Sequence, residues 1–381
     1  MAENVPASAA STATPGRFRA WVLGPRKKLW MPQANMKRVV LALTPLLLAA
    51  IYHFGWRVLA VLVAANLTGV FIEWLTSRSQ ARPISYAVFV TCWLYALSLP
   101  PTVPFGVAVV GAAVAVLFGK EVFGGFGRNF ANPAIVGRAF VYICFPVPLT
   151  AQFVPAFRGL PGGFAHWSLE SLGRLPDYLV ATGKGLADAV TQASPMFVYR
   201  DHQILTPWWD LLTGNIGGTF QVGQQTRILS AGSAGEGCAI LILLAAVYLL
   251  ATRTANWRLM LGGFAGAIGT NVLFRNVLGF AGAGGVPPLH LTLLAGTTLY
   301  VLVFMVTDPV SAPARKPAQL AYGLLIGTMI VLLRWRGVFV AAASFSVLLG
   351  NLIGPLLDLG VDWFERRRNP QAQSQSEGAD G

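Results

Sequence analysis

Charged residues are scarce in this chain of 381 residues: Asp, Glu, Lys and Arg together make up 11% of it, against about 25% in ordinary soluble domains. A disordered chain needs more charge and collagen needs a strict repeat, so both classes are excluded. Hydrophobic residues account for 55% of the chain, and a membrane helix uses about 20 mostly apolar residues. The composition therefore predicts an all-α, polytopic membrane protein.

Cysteine and histidine are also rare. Cys92, Cys144 and Cys238 lie in or beside apolar stretches and form no Cys-x-x-Cys pair, which argues against an iron–sulfur site and a disulfide framework. The four histidines are scattered, with no pair at helical spacing. No metal or haem site is therefore expected within this chain.

Acidic residues are few: 15 Asp and Glu face 28 Lys and Arg, a net charge of +13. In a soluble protein this excess would suggest nucleic acid, but basic residues also accumulate in the cytoplasmic loops of membrane proteins. We therefore expect the lipid bilayer as a partner and no nucleic acid. The distribution of Lys and Arg predicts that both termini are cytoplasmic and that residues 154–236 lie outside.

Ten apolar segments are candidate membrane spans, and half of them precede the long hydrophilic stretch 154–236. They are residues 39–55, 58–76, 84–100, 103–119, 134–153, 237–252, 259–279, 287–306, 318–333 and 337–358. This pattern predicts about ten transmembrane helices in two five-helix halves. The predicted organisation is a partly disordered N-terminal segment 1–36, halves 37–153 and 237–358 around the extracytoplasmic stretch 154–236, and a disordered tail 359–381.

The segment 123–140 is rich in glycine and asparagine and lies between two predicted spans. Irregular backbone at membrane depth is tolerated only inside protein or along a polar cavity. Asn129 and Asn132 offer hydrogen-bonding amides there, and Arg138 is an intramembrane charge, by default a functional candidate. The alternative is a tight turn capped by Asn132 and Pro133, with Arg138 reaching the headgroups.

Acidic residues near span ends have mainly structural interpretations. Asp308 and Ser311 can cap the following helix, and an ion or cofactor role is the less favoured interpretation. Glu73, Glu121 and Glu236 are expected to be surface charges that snorkel to the interface.

The outside stretch contains Asp188-Ala-Val-Thr-Gln-Ala-Ser-Pro-Met196, which by itself indicates a helix that ends before Pro195.

Several segments, taken together and in order, resemble one family, which comprises the NqrB component of the sodium-translocating NADH:quinone oxidoreductase (Nqr) and the RnfD component of the Rnf electron-transport complex. The resemblance runs from about Met36 to Asp358. It rests on Leu99-Pro-Pro-Thr-Val-Pro104, the 123–140 segment, Gly214-Asn-Ile-Gly-Gly218, Thr307-Asp-Pro-Val-Ser-Ala-Pro313 and Val347-Leu-Leu-Gly-Asn-Leu-Ile-Gly-Pro-Leu-Leu-Asp358.

The resemblance implies a ten-helix membrane subunit that carries covalent FMN, bound through its phosphate to a hydroxyl side chain in the outside stretch. The family motif Asp-x-x-Ser/Thr-Gly-Ala-Thr corresponds here to residues 188–194, so Ser194 is the implied attachment residue. Asp188, Thr191 and Ala193 would then be recognition positions for a flavin transferase. The chain departs from the motif in two places, with Ser194 in place of Thr and Gln192 in place of Gly.

The resemblance also implies a second, non-covalent flavin, such as riboflavin, and a role in electron transport coupled to ion transport. Asn129, Asn132 and Asp308 are the candidates for that flavin or for an ion path. The expected partners are the other membrane and peripheral subunits of an Rnf-type or Nqr-type complex in the bacterial inner membrane. The sequence does not distinguish Rnf from Nqr, nor the donor, the acceptor or the ion.

Two alternative functions stay open at this stage. One is a channel or transporter of the urea/ammonium-transporter type that has lost its flavin. The departures from the attachment motif in residues 188–194 are compatible with this alternative. The other is a structural membrane anchor for soluble redox partners.

Overall fold

The computed structural model describes residues 30–79, 82–150, 153–168, 195–217, 219–222, 225–282, 284–337 and 341–368. Helices dominate these ranges. In chain order they are α1 (Ala34–Phe54), α2 (Arg57–Ser79), α3 (Ala87–Leu97), α4 (Phe105–Leu117), α5 (Pro133–Cys144), α6 (Pro146–Thr150), α7 (Pro195–His202), α8 (Trp208–Thr213), α9 (Ala239–Ala251), α10 (Trp257–Val272), α11 (Leu289–Leu294), α12 (Thr297–Tyr300), α13 (Lys316–Trp335) and α14 (Ala342–Arg368). Wide π turns continue α10 through Leu273–Val277 and α12 through Val301–Met305.

Two short strand pairs accompany the helices. Strands β1 (Trp30–Met31) and β2 (Ile84–Ser85) pair in parallel, with Trp30 opposite Ile84. This pairing ties the start of α1 to the start of α3. Strands β3 (Thr219–Val222) and β4 (Gln225–Ile228) form an antiparallel hairpin in the stretch between the two groups of helices.

The first group of helices, α1 to α5, packs through α2, α3, α4 and α5, and the second group packs mainly through α10, α13 and α14. Helices α10 and α13 approach each other closely, since a Cβ on Gly327 would overlap the carbonyl oxygen of Gly263. Only glycine allows two helix backbones to come this near. The two groups meet where α9 packs on α1 and α14 packs on α5.

Among the residues that the structure describes, five helical stretches are long and apolar enough to cross a membrane. They are Ala34–Phe54, Arg57–Arg78, Phe105–Phe123, Lys316–Trp335 and Ala342–Arg368. Shorter apolar helices coincide with other predicted spans, namely Ala87–Leu97, Pro133–Cys144 and Ala239–Ala251. The fold is thus that of a multi-pass helical membrane protein, and the number of ten spans and the orientation of the termini stay predictions.

The structure corrects some of the predicted helix bounds. The predicted span 287–306 is not one helix, because the chain breaks between α11 and α12, where Gly296 adopts a φ of +68°. That region of φ disfavours residues with a Cβ. In addition, α14 continues through Arg368, so the beginning of the predicted disordered tail 359–381 is helical.

The helices define two ends of the molecule. At the first, which we call the basic end, Arg38 Nη1 donates to the Thr252 carbonyl (3.2 Å) and Asn256 Nδ2 donates to Gln319 Oε1 (2.8 Å). These contacts bring together the starts of α1, α10 and α13 and the end of α9.

At the opposite end, the far end, the N–H of Phe157 donates to the carbonyl of His53 at the end of α1 (2.8 Å). The 21 residues of α1 therefore span the molecule. At about 1.5 Å per residue they cover about 30 Å, the thickness of a bilayer core.

Candidate functional site

A cavity of about 290 Å³ lies at the basic end, between the two groups of helices. The first group contributes the start of α1, one face of α3 and the loop before α5. The second contributes the end of α9 and the segment Phe304–Val310. Leu94, Leu249 and Phe304 form apolar walls, while Asn129, Asn132 and other polar groups lie among them. Small-molecule sites combine apolar walls with a few polar groups in this way, usually at about 300–1,000 Å³.

The two asparagines of the 123–140 segment are buried in the cavity wall. Asn132 Oδ1 accepts the N–H of Ala134 (3.0 Å) and so caps α5, as the alternative interpretation of this segment proposed. Asn129 Nδ2 donates to the carbonyl of Ala131 (3.0 Å). Within the described ranges, Asn129 Oδ1 and Asn132 Nδ2 make no other hydrogen bond, which leaves one amide acceptor and one amide donor for a ligand.

Asp308 reaches the same cavity from the second group of helices, in the segment that follows α12. Its Oδ1 accepts the N–H of Val310 (3.1 Å) and its Oδ2 accepts the hydroxyl of Ser311 (3.0 Å). Burial raises the pKa of this carboxyl, and the two hydrogen bonds oppose that rise.

The expected helix cap at Asp308 is wrong in one respect. Asp308 caps its own turn, and it is Asp358 of α14 that holds the two residues just before α13. The two Asp358 oxygens accept the N–H groups of Ala314 and Arg315, both at 2.9 Å. A carboxylate near a helix start also interacts favourably with the positive end of the helix dipole.

Lys120 lies in the cavity wall and is only 2% exposed. Its ammonium nitrogen lies 2.6 Å from Glu73 Oε2, 2.8 Å from Ser85 Oγ and 3.6 Å from Glu121 Oε1. Glu121 Oε2 accepts the hydroxyl of Thr76 (3.1 Å). The expectation that Glu73 and Glu121 are surface charges is therefore wrong: both are buried, because a lysine held by several acceptors compensates their charge.

A second buried ion pair lies between the two groups of helices. Arg138 Nη1 of α5 lies 3.2 Å from Glu236 Oε1, and the two residues are 6% and 4% exposed. Arg138 therefore does not reach the headgroups and Glu236 is not a surface charge, contrary to the snorkelling interpretations. Helix packing places the carboxylate within reach of the guanidinium inside the protein, and this replaces the water both would otherwise need.

The implied flavin-attachment motif lies outside the described residues, and this includes Asp188, Thr191, Ala193 and Ser194. The described chain resumes with α7 at Pro195, the residue after Ser194. Arg275, near the end of α10, lies with Nη1 3.5 Å from the Tyr199 hydroxyl of α7. Since α10 begins at the basic end, α7 lies at the far end. Helix α7 thus lies on the side opposite the cavity, and its first residue, Pro195, follows Ser194 in the sequence.

The structure brings together the three described candidates of the sequence, Asn129, Asn132 and Asp308, in one cavity. Sequence reasoning missed Lys120 as a wall residue and the burial of the three glutamates. The available signal was their position inside or beside apolar segments, where an ionisable residue needs a partner. In the described ranges, no three His, Cys, Asp or Glu side chains form a group that could hold a metal.

The fold and the cavity define a class: a multi-pass helical membrane protein with a small-molecule-sized cavity where its two helical groups meet. The family model described as the NQR2, RnfD, RnfE family matches residues 31–363. This chain belongs to that family.

Relatives from both branches of the family are similar to this chain. It is 33% identical over 291 residues to the Na(+)-translocating NADH-quinone reductase B subunit of Chromohalobacter salexigens, covering 76% of this chain and 62% of that protein. The chain thus spans less than two thirds of that relative's length. This chain is also 32% identical over 340 residues to the ion-translocating oxidoreductase complex D subunit of Aeromonas hydrophila. The match covers 86% of this chain and 92% of that protein. The corresponding protein of Halorhodospira halophila is 32% identical over 347 residues, which cover 88% of this chain and 92% of that protein.

Proposed function

We propose that this protein is the flavin-carrying membrane subunit of an ion-translocating oxidoreductase complex of the Rnf or Nqr type. Family membership supports the assignment to such a complex. The observation that carries the flavin assignment is the meeting of Asn129, Asn132 and Asp308 in one cavity. Flavin supplies the electron-transfer chemistry that no side chain of this protein supplies.

The cavity residues fit one edge of a flavin ring. That edge carries carbonyl oxygens beside ring nitrogens and therefore needs donors and acceptors close together. Asn132 Nδ2 can donate and Asn129 Oδ1 can accept. The apolar walls suit the flat ring and exclude water from it. Asp308 and Lys120 place one carboxyl and one ammonium group in the same wall.

A second flavin, FMN bound covalently to Ser194, belongs to the same proposal. The hydroxyl of Ser194 can form the phosphoester that threonine forms in the family motif. Since α7 follows at once and lies at the far end, the two flavins would lie on opposite sides of the membrane. The separation set by α1 is about 30 Å, so companion subunits would have to carry electrons between them.

The covalent flavin is tested by comparing Ser194→Ala with Ser194→Thr in the complex purified from a host with flavin transferase. We expect FMN mass on the peptide 188–196 in the parent protein and in S194T, and an unmodified peptide in S194A. The Thr variant is the matched control, because it keeps the hydroxyl and restores the residue of the family motif. An unmodified parent peptide would refute attachment at Ser194.

Acid precipitation separates the two flavins, because it releases the non-covalent one and leaves the covalent one on the chain. A protein that is colourless before and after precipitation would favour the channel of the urea/ammonium-transporter type. A coloured supernatant together with an unmodified peptide would support the cavity flavin and refute the covalent one.

Neighbouring genes test whether the complex is of the Rnf or the Nqr type. A gene for a ferredoxin-type protein indicates Rnf, and one for a quinone-site protein indicates Nqr.

A further inference from the structure

The Arg138–Glu236 pair lies where the two groups of helices meet, away from the wall of the cavity. Arg138 sits in α5, in the second turn after the Asn132 cap. Glu236 belongs to the stretch 229–238, which is not helical and is almost wholly buried. That stretch is fixed to the first group, since the N–H groups of Ala234 and Gly235 donate to the carbonyls of Leu99 (3.0 Å) and Leu97 (2.7 Å).

A broken helix of the second group also lies near the Arg138–Glu236 pair. The break between α11 and α12 falls at Ala295 and Gly296. A Cβ placed on Gly232 would lie 3.9 Å from Gly296 Cα, which is van der Waals contact. Arg334 of α13 donates from Nη1 to the Ala295 carbonyl (3.0 Å) and to the Thr298 hydroxyl (2.5 Å). Broken helices and buried non-helical chain at membrane depth occur where a route through the membrane passes or is closed.

The charges at this point favour closure to cations. Arg138 is paired with Glu236. Arg334 lies nearby, because it contacts Ala295 and Gly296, and Gly296 in turn approaches Gly232 beside the Glu236 carboxylate. Two guanidinium groups therefore lie near one carboxylate and act on it electrostatically. The local balance is positive, and a positive group in a low-dielectric interior repels a cation strongly. Arginine side chains exclude cations from other membrane pores in this way.

We propose that Arg138 is the cation barrier of this protein: by pairing with Glu236 it prevents Na⁺ from passing between the two groups of helices except during coupled turnover. Without Arg138, Glu236 would lose its ion-pair partner and only Arg334 would balance its charge, so the positive local balance that repels a cation would be lost. The role concerns ion selectivity and does not depend on whether flavin occupies the cavity or Ser194.

The test is passive efflux of ²²Na⁺ from proteoliposomes that contain the purified complex, without electron donor and at mildly alkaline pH. For Arg138→Gln we expect a rise of at least about tenfold over the parent complex, the change produced by each ~1.4 kcal/mol removed from a barrier. For Glu236→Gln we expect no rise, because the remaining charge is more positive. For the double variant R138Q/E236Q we expect efflux near that of the parent.

This pattern separates a charge barrier from loosened packing, which would raise efflux in all three variants. Arg57→Gln is the matched control: Arg57 is also buried, but its Nη1 and Nη2 donate to the carbonyls of Pro101 (2.7 Å) and Val103 (2.8 Å). We expect no leak from R57Q.

Efflux from R138Q equal to that of the parent would overturn the proposal, as would a leak in E236Q. If R138Q cannot be recovered from membranes, Arg138→Lys replaces it. This variant keeps the charge, so it should stay closed, and a leak there would equally overturn the proposal. Flavin content, measured on the same samples, reports separately on the proposed function.

Discussion

The ammonium nitrogen of Lys120 lies 2.6 Å from Glu73 Oε2, although 47 residues separate the two in the chain. The pair joins the segment after α4 to α2, and Ser85 completes it by donating from its N–H and its hydroxyl to Glu73 Oε1, both at 2.7 Å. A buried charge cluster with this many hydrogen bonds holds three segments beside the cavity in one arrangement.

Replacing Lys120 should therefore destabilise the protein strongly. Lys120→Met keeps the apolar stem but leaves Glu73 and Glu121 without their cation, and breaking a buried pair in this way costs about 3–5 kcal/mol. Thermal unfolding of the detergent-solubilised full chain measures the effect. Lys316→Met is the control, because Lys316 is exposed at the start of α13. Equal unfolding temperatures for the two variants would contradict the role of the cluster.

Binding in the cavity is predicted to depend on the amide of Asn132 separately from its cap. Asn132→Asp keeps an oxygen that accepts the N–H of Ala134 but removes both Nδ2 donors, whereas Asn132→Ala removes the cap as well. We expect both variants to lose non-covalent flavin affinity by about tenfold or more, since one lost hydrogen bond in a buried site costs ~1–3 kcal/mol. Only N132A should also lose about 1 kcal/mol of stability.

Fluorescence titration of flavin released from and returned to the purified protein measures that affinity. The amount of covalent flavin should be the same in the parent and both variants, since α7, whose first residue follows Ser194 in the sequence, lies at the far end. Unchanged affinity in N132D would remove Asn132 from the site.

The buried carboxyl of Asp308 should make stability depend on pH. Because burial raises its pKa, the folded protein holds this proton more tightly than the unfolded chain does. The resulting stability is fully present below the unfolded pKa, about 4, and is lost as pH rises through the folded pKa. Asp308→Asn carries no charge at any pH, so its stability relative to the parent should increase from acidic to neutral pH.

Unfolding temperatures of the parent and D308N, measured across that range, test the sign of the effect. Asn keeps an oxygen for the N–H of Val310, so the local turn is preserved. A difference between the two proteins that does not change with pH would show that the carboxyl titrates as it does in water.

Much of the helical framework could be predicted from the sequence, because hydropathy is a property of each segment by itself. Several of the spans that were predicted from apolar runs coincide with helices, among them α1, α2 and α13. The Asn132–Pro133 start of α5 was also predictable, since a cap is a contact between neighbours in the chain. The break at Gly296 was missed because a single glycine in an apolar run does not reveal whether the helix continues.

The candidate site was only partly predictable. The polar segments with Asn129, Asn132 and Asp308 stand out because such residues are rare among apolar spans. Their meeting in one cavity depends on how α3, α9 and α12 pack against each other, which no local pattern encodes.

By itself, the sequence determined that this is a helical membrane protein of a recognisable family, because composition and short motifs are read directly along the chain. Only the tertiary structure decided which charges are buried and what neutralises them. Arg138 and Glu236 are 98 residues apart, and Coulomb attraction in a low-dielectric interior depends on the distance between groups in space, which packing alone sets.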